Sequence, residues 1–239
     1  MLAIRSTLIT LLFAGYVGIA QSAPIVFTDT SYTTFAQADA GNASGGPDSA
    51  FTMNLLPISS AAAATSDDGD SASAVAFADT PMFLTATNDA FGVSGPASSN
   101  AVATFTGLFD ALPGLLTLSF DFESLVEQMT NGFGNNSLAV TLEVGGITLF
   151  NDILFASGSI NQQFLLATGG SGLFDLTLIS TADASAGDSA FSLGTVNASL
   201  DAVAASAVPE PASVALLMTG LLGLGFMRRG QLSARLKMT

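Results

Sequence analysis

The sequence predicts an all-β protein: an antiparallel β-sandwich of jelly-roll type, followed by a single C-terminal membrane-spanning helix. Three observations predict it. In the middle of the chain apolar residues recur at every second position, the period of a strand with one buried face. Gly- and Asn-rich turn signals interrupt that alternation at short intervals, and no crossover helix separates the strands. Near the C-terminus the alternation gives way to an uncharged apolar run closed by two arginines.

The chain opens with "MLAIRSTLITLLFAGYVGIAQSAPIVF". Arg5 supplies a short basic region and Leu8 to Ile19 an apolar one, the pattern of a secretory signal peptide over residues 1–22. Gly18-x-Ala20 and Ala20-x-Ser22 both place small residues where a signal peptidase needs them. Pro24 disfavours cleavage directly after Ala23.

Residues 23–205 then read as the sandwich. "LLTLSFDFE" sends Leu116, Leu118, Phe120 and Phe122 to one face and Thr117, Ser119, Asp121 and Glu123 to the other. "SLAVTLEV" repeats this with Leu138, Val140, Leu142 and Val144 inward, and "LFDLTLIS" with Phe174, Leu176 and Leu178 inward. Gly145-Gly146 between two such runs is a hairpin signal. The first half is weaker: "IVFTDTSYTTFAQAD", "AFTMNL", "SASAVAFAD", "PMFLTAT" and "AVATFTGLF" look like strands, but with many Ala and Ser positions. "AAAATSDDGDS" fits either a loop or one helical turn. "SAFSLGTVNASLDAV" reads as one long strand with a bulge at Gly194. Asp-Ser-Ala-Phe occurs at 48–51 and again at 188–191, which suggests similar starts to two paired strands. In all, about ten strands are expected.

Charge narrows the function. All five basic residues, Arg5, Arg228, Arg229, Arg235 and Lys237, lie at the ends. All nineteen acidic residues lie between Asp29 and Glu210. A domain without Lys or Arg cannot neutralise phosphates, so nucleic-acid binding is excluded, as is a polybasic membrane patch. Such one-signed charge favours solubility and disfavours close self-association.

Chemistry is limited in the same way. The chain has no Cys and no His, and residues 23–205 hold no Lys. Disulfides, His or Cys zinc sites and a Ser-His-Asp mechanism are therefore excluded. Asp121 and Glu123 share a strand face at roughly 7 Å, within the range of a glycosidase carboxylate pair. The reading preferred for them is two acids on a solvated face, and no enzyme activity is expected. Asp67, Asp68 and Asp70 crowd around Gly69 and offer hard oxygen ligands for Ca²⁺, the sole cofactor the sequence suggests. A sugar platform normally uses exposed Trp or Tyr; this region has no Trp, one Tyr (Tyr32), and many Phe at positions that read as core.

At the C-terminus, Val208-Pro209-Glu210-Pro211 precedes the apolar span 212–227. As a helix the span is roughly 24 Å long, near the lower limit for crossing a bilayer. Pro211 suits a first helical turn, and Arg228 and Arg229 act as a stop-transfer signal held in the cytoplasm, with the basic tail running over 228–239. The glycines at 220, 223 and 225 lie inside the apolar run and do not form a nucleotide loop. Segment 206–239 resembles the PEP-CTERM sorting signal: a short linker and Pro-Glu-Pro motif over 206–211, a span, and an Arg cluster. The resemblance implies a sorting motif Val208-Pro209-Glu210-Pro211, in which Pro209, Glu210 and Pro211 are recognised by an exosortase, a membrane-embedded enzyme, and removal of the tail. It also implies a host that makes exopolysaccharide. Ten residues follow the arginine pair, more than such tails usually carry.

The expected protein is exported through the inner membrane and held by its C-terminal helix before processing. It is a non-enzymatic sandwich of the envelope or biofilm matrix, structural or adhesive in role. The alternatives are a Ca²⁺- or carbohydrate-binding module, with exopolysaccharide as partner, and a carboxylate-dependent glycoside hydrolase.

Overall fold

The computed structural model describes residues 22–41, 43–53, 57–80 and 82–204. The signal segment up to Gln21, the sorting motif Val208–Pro211, the expected span 212–227 and Arg228 and Arg229 lie outside the described residues. Within them the chain forms strands and turns and no helix.

Thirteen strands follow in order: β1 (Ala23–Pro24), β2 (Phe27–Ala40), β3 (Ala43–Met53), β4 (Ile58–Thr65), β5 (Ser71–Asp79), β6 (Phe83–Phe91), β7 (Ala97–Ala111), β8 (Gly114–Gln128), β9 (Phe133–Val144), β10 (Ile147–Leu154), β11 (Gly158–Leu166), β12 (Gly170–Ala184) and β13 (Ser189–Ala204). They build two antiparallel sheets. The first runs β11-β8-β13-β6-β5-β4, with β1 added on β13; the second runs β10-β9-β12-β7-β2-β3. The strands from β6 onward pair as nested hairpins: β6 with β13 and β8 with β11 in one sheet, β7 with β12 and β9 with β10 in the other. That nesting is the double Greek key of a jelly roll. Strands β1 to β5 widen it along one side.

The alternation read from the sequence decides which face is buried. Leu116, Leu118, Phe120, Phe122, Leu138, Val140, Leu142, Val144, Phe174, Leu176 and Leu178 all lie between the sheets. The Gly145-Gly146 pair makes the β9–β10 hairpin with φ of 60° and 75°, the left-handed turn that glycine adopts without strain.

The interior has two halves of different thickness. Phe105, Phe109, Phe122 and Phe174 with the leucines fill one. Alanines of β2, β4, β5 and β6, among them Ala36, Ala38, Ala74, Ala76 and Ala86, fill the other. Two hydroxyl pairs bond directly across the gap, Thr34 to Ser60 at 2.8 Å and Ser180 to Ser192 at 2.7 Å. Side chains this short cannot bridge the usual separation of about 10 Å, so the sheets close in where the residues are small.

Four expectations are corrected. The described residues form thirteen strands rather than about ten. "AAAAT" is the end of β4, neither loop nor helical turn, and the turn is confined to "SDDGD". Gly194 is not a bulge, since β13 keeps unbroken register past it with both neighbours. It is glycine because a Cβ there would stand 2.9 Å from Leu178 Cδ1 of the facing sheet. The real bulges lie between Phe27 and Asp29, Ala36 and Ala38, and Thr148 and Phe150. Finally, the two Asp-Ser-Ala-Phe segments sit on β3 and β13, in different sheets, and do not pair.

Candidate functional site

The Asp-rich turn joins β4 to β5. Ser66 N–H donates to the Asp70 carbonyl at 2.9 Å, and Gly69 makes the turn at φ 90°. Asp67 and Asp68 point to solvent, whereas Asp70 is only 2% exposed. Its Oδ1 accepts three successive backbone N–H groups from the β6–β7 loop: Val93 at 2.7 Å, Ser94 at 2.9 Å and Gly95 at 3.0 Å. Its Oδ2 accepts the Ser66 hydroxyl at 3.1 Å. A Cβ at Gly41 or Gly95 would stand 2.8 Å from that oxygen, so both glycines leave room for it. Consecutive N–H groups of this kind form an anion-binding nest, here filled by the protein's own carboxylate. The N–H groups of Gly95 and then Ser94 hold the Asp70 carboxyl below its ordinary value, against the opposing effect of burial.

This geometry separates the three residues proposed as calcium ligands. Asp70 is turned inward and its Oδ1 is saturated by donors. Asp67 and Asp68 stay on the rim of an open hollow of about 610 Å³. Among the described residues no three acidic side chains gather where one metal ion could be held.

A second region lies on the outer face of the first sheet. Asp121 of β8 faces Ser159 of β11 on one side and Asn197 of β13 on the other. The next outward row is Asn161, Ser119 and Ser199, and Glu123 stands opposite Thr195. Two contiguous hollows of about 350 and 560 Å³ share Asp121, Ser159 and Asn197. Both volumes fall in the range of small-ligand sites. Asp121 and Glu123 do share a face, as their spacing predicts, and both are exposed. The groove floor offers carboxylate, amide and hydroxyl groups, with Phe83 at one end.

A third hollow, of about 230 Å³, lies on the outer face of the second sheet between Asp39, Asn100 and Asp183. Partial burial pushes the Asp183 carboxyl upward. No sequence pattern points to this hollow, because Ala-rich strands show which residues share a row only once their register is known.

Tyr32 is not a sugar platform. It is 2% exposed and packs on Phe105 with ring centroids 5.2 Å apart; burial raises its hydroxyl, and a bond from Thr30 partly offsets that. Phe is less uniformly interior than expected: Phe91, Phe133 and Phe155 are exposed.

Fold and surface together define a two-sheet, all-β domain whose described hollows are lined by carboxylates, amides and hydroxyls. The chain that contains it carries a PEP-CTERM protein-sorting motif, matched over residues 207–229. The motif implies a surface protein sorted by an exosortase. No curated protein matches the chain. Among solved structures, a carbohydrate-binding module, TmCBM61, in complex with β-1,4-galactotriose overlaps with 14% identity, TM-score 0.22, 48% of this chain and 69% of its own. The VP2 subviral particle of infectious bursal disease virus overlaps with 10% identity, TM-score 0.22, 80% of this chain and 64% of its own. The secreted serine protease VesC from Vibrio cholerae gives 9% identity, TM-score 0.20, 65% and 47%. Overlaps this slight transfer neither ligand nor activity.

Proposed function

We propose that this chain is a non-catalytic structural or adhesive protein of the cell envelope or extracellular matrix, exported by its N-terminal signal and sorted by an exosortase that removes the tail. The observation that carries this reading is the sorting motif at 207–229 on a chain whose described residues contain no basic side chain. The signal, the stop-transfer arginines and the acidic domain between them give a consistent topology, with both basic ends inside and residues 23–205 outside. Pro209, Glu210 and Pro211 are the recognition residues in this reading.

The test is cell fractionation in an exosortase-bearing host, with the intact mass of the recovered protein. The expected result is surface or secreted protein lacking the segment after the motif. Pro209→Ala/Pro211→Ala should leave the full tail attached and the protein in the inner membrane. Intact, unprocessed protein in the cytosol would overturn the sorting role.

A second reading is favoured by the groove over β11, β8 and β13. Its outward Asp121, Asn161 and Asn197 make no side-chain hydrogen bond within the described residues, so they are free to meet hydroxyl-rich ligands such as the exopolysaccharide. Titration of oligosaccharides by calorimetry, with Asp121→Ala/Asn197→Ala as comparison, separates the readings: heat that vanishes in the variant supports glycan binding, and no heat leaves the structural role. Hydrolysis lost in Asp121→Asn and in Glu123→Gln would instead reveal a glycosidase. Millimolar Ca²⁺ is expected to leave the melting temperature unchanged, because Asp70 is already committed to the nest.

A further inference from the structure

A sheet edge exposes unpaired N–H and C=O groups, and soluble proteins guard such edges with bulges, prolines, charges or a covering element. The two sheets here end in four edge strands, β11, β4, β10 and β3. In the second sheet both edges are guarded. β10 is bulged between Thr148 and Phe150 and carries Asp152. β3 contains Pro47 and is bulged against β2. In the first sheet β4 leans on β2 and β3 of the facing sheet. β11 has no such protection. Its nine residues, "GSINQQFLL", hold uninterrupted register with β8 and contain no charge and no proline. Among the described elements its extensive contact is with β8 alone. Asn161, Gln162, Gln163 and Leu165 are exposed, Leu165 by 83%.

We infer that β11 is the site at which two copies of this chain join, edge to edge, into one continuous antiparallel sheet. The occupant follows from charge and from pattern. The described residues hold acids and no Lys or Arg, so two copies repel everywhere except along an uncharged surface. β11 is a long uncharged edge lying beside an open face. It is also self-complementary about Gln162. In a two-fold antiparallel pairing centred there, Asn161 faces Gln163 of the other copy on the outer side, and Ile160 faces Phe164 on the inner side. In the five central residues amide meets amide (161 with 163, 162 with itself) and apolar meets apolar (160 with 164), which is how cross-strand pairs stabilise a sheet, while Ser159 faces Leu165 at the ends. The contact is isologous and closes as a dimer. A strand pair of this length is smaller than a standard interface of about 1,600 Å², so the dimer is modest in affinity and is strengthened by salt, which screens the acidic bodies. This inference goes beyond the sorting role and stands independently of it.

The chain has no cysteine, which makes the test direct. Directly opposed residues of an antiparallel pair lie about 4.5–5.5 Å apart at Cα, within disulfide reach. In the full chain, Gln162→Cys should give a disulfide-linked dimer on mild oxidation, whereas Asn151→Cys on the guarded edge β10 should stay monomeric. Asn161→Glu/Gln163→Glu opposes like charges across the proposed pair and should abolish the dimer in sedimentation analysis without lowering the melting temperature. Mixing it with Asn161→Lys/Gln163→Lys should restore a mixed dimer. Equal cross-linking at 162 and 151, or a Glu variant that dimerises as well as the parent, would overturn the inference.

Discussion

Asp70 shows how a residue type can be legible and its role not. Three aspartates around a glycine look like ligands for a cation, and the sequence supports that expectation. What it cannot show is that the N–H groups of Val93, Ser94 and Gly95, more than twenty residues away, converge on one of the three. The sign of the effect is determined. A carboxyl held below its ordinary 3.8 by these bonds contributes stability that is complete above that value and is lost as pH falls through the lowered one. Asp70→Asn is therefore expected to lower the melting temperature at neutral pH. The gap to the parent should shrink in acid, below the ordinary value, and a melting series in pH checks both. Asp183 has the opposite sign. Burial raises it, so its ionised form opposes folding and Asp183→Asn should stabilise the protein at neutral pH.

Two buried asparagines make a sharper contrast. Asn136 donates to Ser124 Oγ, to the Leu125 carbonyl and to the Leu193 carbonyl at 3.0–3.2 Å. Asn88 is fully buried, and neither polar atom of its amide has a partner among the described residues. Asn136→Ala should cost about 1–3 kcal/mol, since it leaves acceptors unpaired. Asn88→Ala should cost far less, because no bond is lost. Chemical denaturation of the two variants measures the difference.

At the scale of elements, legibility followed side-chain size. β8, β9 and β12 were readable because Leu and Phe alternate with Thr, Asp and Glu, and every inward residue named there is buried. β5 and β6 were readable as strands from "SASAVAFAD" and "PMFLTAT", but their buried face was not, and β4 was missed, because Ala alternating with Ser carries little contrast in hydropathy. Glycine misled for a related reason. At Gly194 it answers to a side chain of the opposite sheet, which no local pattern reveals. Gly172 answers to an aromatic ring: the Phe109 side chain of the paired strand lies over it, where a Cβ would land. Gly172→Ala should therefore cost about 1–3 kcal/mol by overpacking. Leu118→Ala, in the thick half of the core, should cost about 2–5 kcal/mol by leaving a cavity. The same denaturation experiment covers both, and an Ala tolerated at 172 would show that the ring is free to move.

For the whole molecule, the charge pattern outweighs any single site. The described residues hold acidic side chains and no Lys or Arg, so no ion pair forms among them. Its cohesion comes from the apolar layer and the strand ladders, while its charges repel one another. Added monovalent salt is expected to raise the melting temperature by screening that repulsion. A melting temperature that fell with salt would point to attractive ion pairs instead. The all-β class was legible in the sequence because it is written in the period of two, and the sorting motif because it is a short contiguous pattern. The groove over β8 and the free edge at β11 were not, since both depend on which strands become neighbours.

The strand that leads into the sorting tail is β13, and it lies inside its sheet, zipped to β8 over fifteen residue pairs and to β6 over nine. A pull arriving at Ala204 therefore loads these ladders along their length, in shear, so that many hydrogen bonds share the force at once. Had the tail left from an edge strand, the same tug would have peeled them open one by one. Were the proposed sorting to leave the domain tethered by this end, the ladder of β13 would be what resists drag.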